Sequence, residues 1–76
     1  MKGDDFMKFY YFNNTVDVNG RHEIHTADCS YLPSPSNRTY LGYFSNCNEA
    51  RQKAKALYPL KSFDGCYWCC RNCHKG

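Results

Sequence analysis

Six cysteines in a chain of 76 residues constrain the fold more than any other feature of this sequence. A chain of this length buries only about 60% of its unfolded surface, so its apolar core alone gives little stability. Small domains commonly gain the missing stability from disulfides or a bound metal ion. We therefore expect one domain spanning residues 1–76, held together by its cysteines, with residues 1–7 flexible.

The redox compartment determines what the cysteines do. The first five residues contain two acids where a secretory signal would be basic, and the apolar run that follows is interrupted by Lys8. No stretch approaches the ~20 apolar residues of a membrane span. These features favour a cytoplasmic protein with thiols or a metal site and no membrane partner. Two glycosylation sequons, at Asn13 and Asn37, favour the alternative of a secreted protein with three disulfides and no metal.

The first half of the chain has the pattern of a β-hairpin followed by a short strand. The predicted segments are an aromatic-rich strand 8–15, a turn at Asn19-Gly20, a second strand 21–26, a Pro- and Ser-rich loop 27–38 and a third strand 39–44. Alternation in the second strand places His22, Ile24 and Thr26 on one face. Arg21, Glu23 and His25 lie on the other.

One helix follows the third strand. Asn46 is a suitable N-cap with Glu49 three residues later, and Pro59 ends the helix. A stripe of apolar residues is expected to face the core, namely Cys47, Ala50, Ala54, Leu57 and Tyr58. A turn at 63–65 leads into a cysteine-rich segment, residues 66–74, which we call the knuckle. The predicted fold is a small α+β domain with a β-hairpin plus a short third strand, one main helix and the cysteine-rich knuckle.

Four residues have the spacing of a structural zinc site. Cys66 and Cys69 form a Cys-x2-Cys pair, and His25 and Cys29 form a His-x3-Cys pair where the second strand enters the loop. Together they supply a Cys3His ligand set for Zn²⁺. Such a site would close a long loop of the chain, and a cross-link that closes a long loop stabilises a small domain most.

The knuckle offers more ligands than one metal needs. Side chains of neighbouring residues normally point in different directions, so one ion is not expected to use both Cys69 and Cys70. If the knuckle is helical, Cys66, Cys70 and Cys73 form a competing set. Cys47 is expected to be a buried small apolar residue. Cys70 and Cys73 are then free thiols, or partners of Cys47 in a disulfide if oxidised.

Several other polar and aromatic residues have structural interpretations. His22 and His74 are expected to be solvated or capping side chains. Tyr67 and Trp68 are expected to pack against the hairpin, although aromatic rings beside basic residues can also stack on nucleic-acid bases.

The net charge of +3 is unevenly distributed, since residues 1–50 carry −2 and residues 51–76 carry +5. A basic half suits an anionic partner such as a nucleic acid or an acidic protein. The residues that would contact nucleic acid are Arg51, Lys53, Lys55, Lys61, Arg71 and Lys75. We expect the domain to be a monomer.

Several segments together resemble the Ada-type metal-binding module. They are His25-Thr-Ala-Asp-Cys29, Asn-Arg-Thr-Tyr-Leu-Gly-Tyr-Phe, a helix opening Asn-Glu-Ala, and Gly65-Cys66-Tyr-Trp-Cys69. That family includes the N-terminal domain of the Ada DNA-repair protein and small domains attached to bacterial nucleases. The resemblance spans roughly residues 15–70 and implies that His25, Cys29, Cys66 and Cys69 hold one zinc ion. In the Ada domain one zinc thiolate accepts a methyl group from a DNA phosphotriester. Gly65 stands where that family usually has proline.

No pattern of catalytic residues is complete. Cys66-x2-Cys69 has the spacing of a redox motif, but the βαβ pattern that accompanies one is missing. The histidines of His22-Glu-Ile-His25 are three residues apart on a predicted strand, whereas a metalloprotease places them four apart on a helix. We therefore expect a binding module rather than an enzyme, with methyl-accepting or redox thiol chemistry as the alternatives.

Overall fold

The computed structural model describes residues 7–76, which form a four-stranded sheet and one helix. The elements are β1 (Lys8–Val16), β2 (His22–Thr26), β3 (Arg38–Phe44), α1 (Cys47–Leu57) and β4 (Phe63–Gly65), with short 3-10 turns at Pro35–Asn37 and Arg71–Cys73. The strand order is β3-β1-β2-β4. The predicted α+β architecture is confirmed. The predicted flexible segment 1–7 lies, except for Met7, outside the described residues.

The hairpin forms where the Asn-Gly pair predicts it. Gly20 adopts a positive φ of 77°, which glycine accommodates without steric cost. The Asp17 carboxylate accepts hydrogen bonds from the backbone amides of Asn19 and Arg21, at 2.8 and 2.9 Å. β1 and β2 then pair antiparallel, with Tyr11 opposite His25 and Phe12 opposite Ile24.

The last strand was predicted as a turn, and this prediction is wrong. β4 pairs parallel with β2, with Phe63 opposite His22 and Gly65 opposite Ile24. The segment Phe63-Asp-Gly has little β-propensity, which is why the sequence did not indicate a strand. The pairing is stabilised by Phe63, which is buried in the core. As a result, the knuckle begins beside the end of β2.

The core lies between the sheet and α1. Phe12 is 2% exposed and makes edge-on contacts with Phe63 and Tyr58, at centroid distances of 5.1 and 5.4 Å. Ala50 and Ala54 are completely buried, which brings the helix backbone close to the strands. The predicted helix stripe holds for Cys47, Ala50 and Ala54, whereas Leu57 at the helix end is 51% exposed and Tyr58 is half-buried.

The start of α1 is capped as the sequence indicates, with one difference. The Asn46 side chain accepts a hydrogen bond from the Glu49 amide at 2.9 Å. The Glu49 carboxylate reaches back to the Ser45 amide at 3.0 Å rather than to that of Asn46 itself. The first bond satisfies one of the backbone amides that a helix start leaves unpaired, and the second ties Glu49 to the residue before the cap.

Candidate metal centre

The His25 side chain belongs to β2, is 1% exposed and contacts the knuckle through Cys69. Its Nδ1 atom is 3.7 Å from Cys29 Sγ and 3.9 Å from Cys69 Sγ. On the other side of the ring, Nε2 has no hydrogen-bond partner among the described residues, and Glu23 Oε1 lies 3.6 Å from it. The ring therefore presents one nitrogen to the cysteines and the other to a carboxylate.

A tight turn after β2 positions Cys29. The Cys29 amide donates to the Thr26 carbonyl at 3.1 Å. Asp28 reinforces this turn, because its carboxylate accepts from the Thr26 hydroxyl at 2.7 Å and forms an ion pair with Lys8 at 2.8 Å. The turn is thus connected to β1 as well as to β2.

The knuckle brings Cys66 and Cys69 to the same place. The Cys66 amide donates to the Ile24 carbonyl at 3.0 Å, which continues the β2–β4 pairing to the first knuckle residue. The Cys70 amide donates to the Cys66 carbonyl at 2.8 Å and closes a turn that directs Cys69 back toward His25. Cys66 Sγ lies 3.9 Å from Cys29 Sγ.

The four predicted ligands form one group. One donor atom from each of His25, Cys29, Cys66 and Cys69 lies within 4.8 Å of all the others. A tetrahedral zinc ion with Zn–S of ~2.3 Å and Zn–N of ~2.0 Å would separate its donors by ~3.5–3.8 Å. The sulfur–sulfur distance of 3.9 Å and the nitrogen–sulfur distances of 3.7 and 3.9 Å are close to those values. The group can therefore hold a metal ion.

Each of the three sulfurs also accepts a backbone hydrogen bond. The donors are the amides of Thr26 to Cys69, Tyr31 to Cys29 and Trp68 to Cys66, each at 3.4 Å. Amide dipoles directed at sulfur stabilise thiolates, the form that binds metal.

Without a cation the three thiols cannot ionise equally. The neighbouring thiol of Cys70 first of all, and then His25, Cys29 and the Thr26 amide, lower the pKa of Cys69 to about 3. Burial, and after it the adjacent Cys69, raise the pKa of Cys29 to about 12. Burial likewise raises the pKa of Cys66. A divalent cation would offset the repulsion between thiolates and the cost of burying them.

The competing ligand set of Cys66, Cys70 and Cys73 does not form the group. Cys70 and Cys73 are 2% and 4% exposed and lie in the core with Cys47. Cys47 Sγ lies 3.9 Å from the Cys70 carbonyl oxygen. None of the six cysteines forms a disulfide. Cys47 is a buried small residue, as expected.

The expected environments of two other residues are wrong. His22 is buried rather than solvated, since its Nδ1 contacts the Asn13 carbonyl at 2.8 Å and its ring packs on Phe12. Trp68 is 64% exposed and stacks on Tyr31 rather than packing against the hairpin. His74, which was expected to be a solvated or capping side chain, is half-buried, and its Nδ1 atom contacts the carbonyl of Gly65 in β4 at 2.8 Å.

The six basic residues of the second half differ in exposure and in their contacts. Lys53 and Lys55 are exposed on α1, and Lys55 Nζ donates to the carbonyl of exposed Lys61 at 3.1 Å. Arg51 is half-buried, with its Nε atom shielded from solvent. Arg71 and Lys75 are exposed in the tail.

Two acidic residues next to the centre were not singled out from the sequence. Glu23 lies beside His25, and the strand alternation that places both on one face was the signal that could have identified it. Asp64 is 1% exposed and accepts from the Lys75 amide at 2.7 Å, which fastens the tail to β4. Nothing in the local sequence indicates that burial.

No protein-family profile matches this sequence, and comparisons with curated proteins and with solved structures yield no match. Among the described residues no helix has the length and apolar character needed to cross a bilayer.

Proposed function

We propose that the chain is a zinc-stabilised binding module whose Cys3His group holds one structural Zn²⁺. The observation that carries this proposal is the convergence of four donor atoms within 4.8 Å from two distant parts of the chain. Three sulfurs and one imidazole nitrogen, all from the protein, are the ligand set of closed structural zinc sites. The Ada-type resemblance implies the same ligands.

The ion would cross-link two distant parts of the chain. Cys29 and Cys66 are 37 residues apart in sequence, so the centre links the hairpin directly to the tail. Structural zinc contributes roughly 10–16 kcal/mol of apparent binding free energy in small finger-like domains. That is comparable to the total stability of roughly 5–15 kcal/mol that typical domains have. We therefore assign the three thiolates to structure rather than to catalysis. The charge of +5 on residues 51–76 supports an anionic macromolecule as the partner.

The test is metal content with native mass spectrometry on protein purified under reducing conditions. We expect one zinc per chain, and loss of the folded state when a strong chelator removes it. Cys69→Ser should lose stoichiometric zinc. Cys70→Ala, which changes the adjacent buried cysteine, is the matched control and should retain it.

Two results would contradict the proposal. One is a protein that folds fully without any metal. The other is an intact mass lowered by about two hydrogens for each of three disulfides, which would support the secreted alternative instead.

A further inference from the structure

Three large aromatic rings are exposed together beside the metal centre. Tyr31, Tyr67 and Trp68 are 57%, 42% and 64% exposed. Tyr31 and Trp68 are stacked, with centroids 5.8 Å apart and an interplanar angle of 19°, and Tyr67 meets Trp68 edge-on at 4.8 Å. We call these three residues, together with Arg71, the aromatic platform. Exposed apolar rings that cluster in this way mark contact surfaces.

The metal ligands position two of these rings. Tyr31 follows Cys29 by two residues and Trp68 follows Cys66 by two, and each amide donates to the sulfur of that cysteine at 3.4 Å. An ion that fixes the two sulfurs also fixes the backbone from which both rings project. A platform arranged in advance loses less conformational entropy when it binds a partner.

The platform carries one cationic side chain. The Arg71 guanidinium lies 4.5 Å from the centroid of the Tyr67 ring. Next to Trp68 is a cavity of about 260 Å³ whose lining includes Arg71 and the amides Asn46 and Asn72 but no carboxylate. This volume is slightly below the roughly 300 Å³ at which pockets for drug-sized ligands begin. The cavity therefore suits a single planar group or a phosphate.

Of the two acidic residues nearest in sequence, Asp28 and Asp64, neither forms an ion pair with Arg71, and Asp64 is 1% exposed beside Arg21 and His74. Asp28, just before Cys29, has its carboxylate paired with Lys8 at 2.8 Å. The surface that a partner meets therefore combines exposed rings with an arginine.

We propose that the aromatic platform binds single-stranded nucleic acid, with bases stacking on Trp68 and Tyr31 and a phosphate contacting Arg71. Aromatic rings beside cations are the groups that hold unpaired bases without reading sequence. An acidic peptide would pair with Arg71 without needing the exposed rings. The bases of a duplex are stacked on one another, so they are not free to stack on Trp68 and Tyr31. This inference rests on the proposed function, because the zinc ligands set the arrangement of the rings.

The test uses the zinc-loaded full chain and the fluorescence of Trp68, the only tryptophan. A single-stranded oligothymidylate or oligouridylate of roughly 10 nucleotides should quench this fluorescence saturably. The affinity should fall steeply as salt rises. Anisotropy of a labelled oligonucleotide gives an independent measurement that does not require the tryptophan.

The variants have matched controls. Tyr31→Ala and Trp68→Ala should each weaken binding roughly tenfold in the anisotropy measurement. Tyr40→Ala, which removes a tyrosine of similar exposure from β3, should leave binding unchanged. Arg71→Ala should weaken binding and reduce its salt dependence, whereas Lys53→Ala on the helix should do so much less. Zinc content and circular dichroism confirm that each variant is folded.

Three outcomes would overturn the inference: no quenching by either oligonucleotide, tighter binding of duplex or of an acidic peptide than of single strands, or equal losses in Tyr31→Ala and Tyr40→Ala. A chain that holds zinc and fails to bind refutes this inference alone. A chain that folds without zinc refutes the proposed function, whatever it binds.

Discussion

The carboxylate of Glu23 lies 3.6 Å from Nε2 of His25, on the side of the imidazole opposite to the cysteines. This distance exceeds that of a hydrogen bond, yet Glu23 is the acidic residue that faces this buried nitrogen. Histidines that bind a metal generally donate their second N–H to a carboxylate or carbonyl, which fixes the tautomer with the other nitrogen free to bind. Glu23 is placed to take this role when a metal occupies the centre.

The first prediction concerns this pair. Glu23→Ala should weaken zinc binding roughly 10- to 100-fold, because the imidazole loses the group that orients it. Glu23→Gln should weaken it less, since the amide oxygen still accepts a hydrogen bond. Competition with a chromophoric chelator measures both. Glu49→Gln, which alters a carboxylate at the helix start, is the control; an equal loss there would show a general effect of charge.

The second prediction concerns pH. Near neutral pH, Cys69 with its pKa of about 3 is already a thiolate, whereas Cys29 and Cys66 with raised pKa values are protonated. Zinc needs all three as thiolates, so its binding should release about two protons and weaken as pH falls. Titration calorimetry in buffers of different ionisation enthalpy counts these protons. Release of three would show that Cys69 is also protonated before the metal binds.

The third prediction concerns Gly65, where the knuckle packs on β4. A Cβ atom at this position would overlap the Cys70 carbonyl oxygen and lie 2.6 Å from Cys73 Cβ. The neighbours include backbone atoms, which cannot move aside easily. Gly65→Ala should therefore lower the free energy of unfolding by roughly 1–3 kcal/mol. Denaturant titration of the zinc-loaded protein measures this.

Ser62→Ala provides the comparison for Gly65→Ala. Ser62 is exposed three residues earlier, and its substitution should change the free energy of unfolding by less than about 0.5 kcal/mol. If Gly65→Ala lowers the free energy of unfolding as little as Ser62→Ala does, the close packing of the knuckle on β4 is not maintained in solution.

The fourth prediction concerns the start of α1. Asn46→Ala removes the acceptor for the Glu49 amide and should lower the free energy of unfolding by about 1 kcal/mol. Asn48→Ala, an exposed substitution inside the same first turn, should be neutral or slightly stabilising because alanine is the better helix former. Thermal unfolding of the zinc-loaded variants measures both, and a smaller loss for Asn46→Ala than for Asn48→Ala would refute the cap.

Local patterns predicted most of the secondary structure. The aromatic run of β1, the Asn-Gly turn and the Asn46 cap each act over a few residues, and each appears where the sequence indicates. Burial is harder to predict from such patterns. His22 is buried because Phe12 and Phe63 both reach it, and those contacts come from two different strands.

The sequence by itself determined the kind of centre this chain can build, because residue type and short spacing set the available donors: His25 and Cys29 in one turn, and Cys66 with a second cysteine of the knuckle in another. Only the tertiary structure decided that Cys69 rather than Cys70 joins the group, and that Tyr31 meets Trp68. Both outcomes depend on the parallel pairing of β4 with β2, which carries the knuckle to the end of the hairpin. That pairing joins distant segments through buried Phe63, and spacing along the chain holds no information about it.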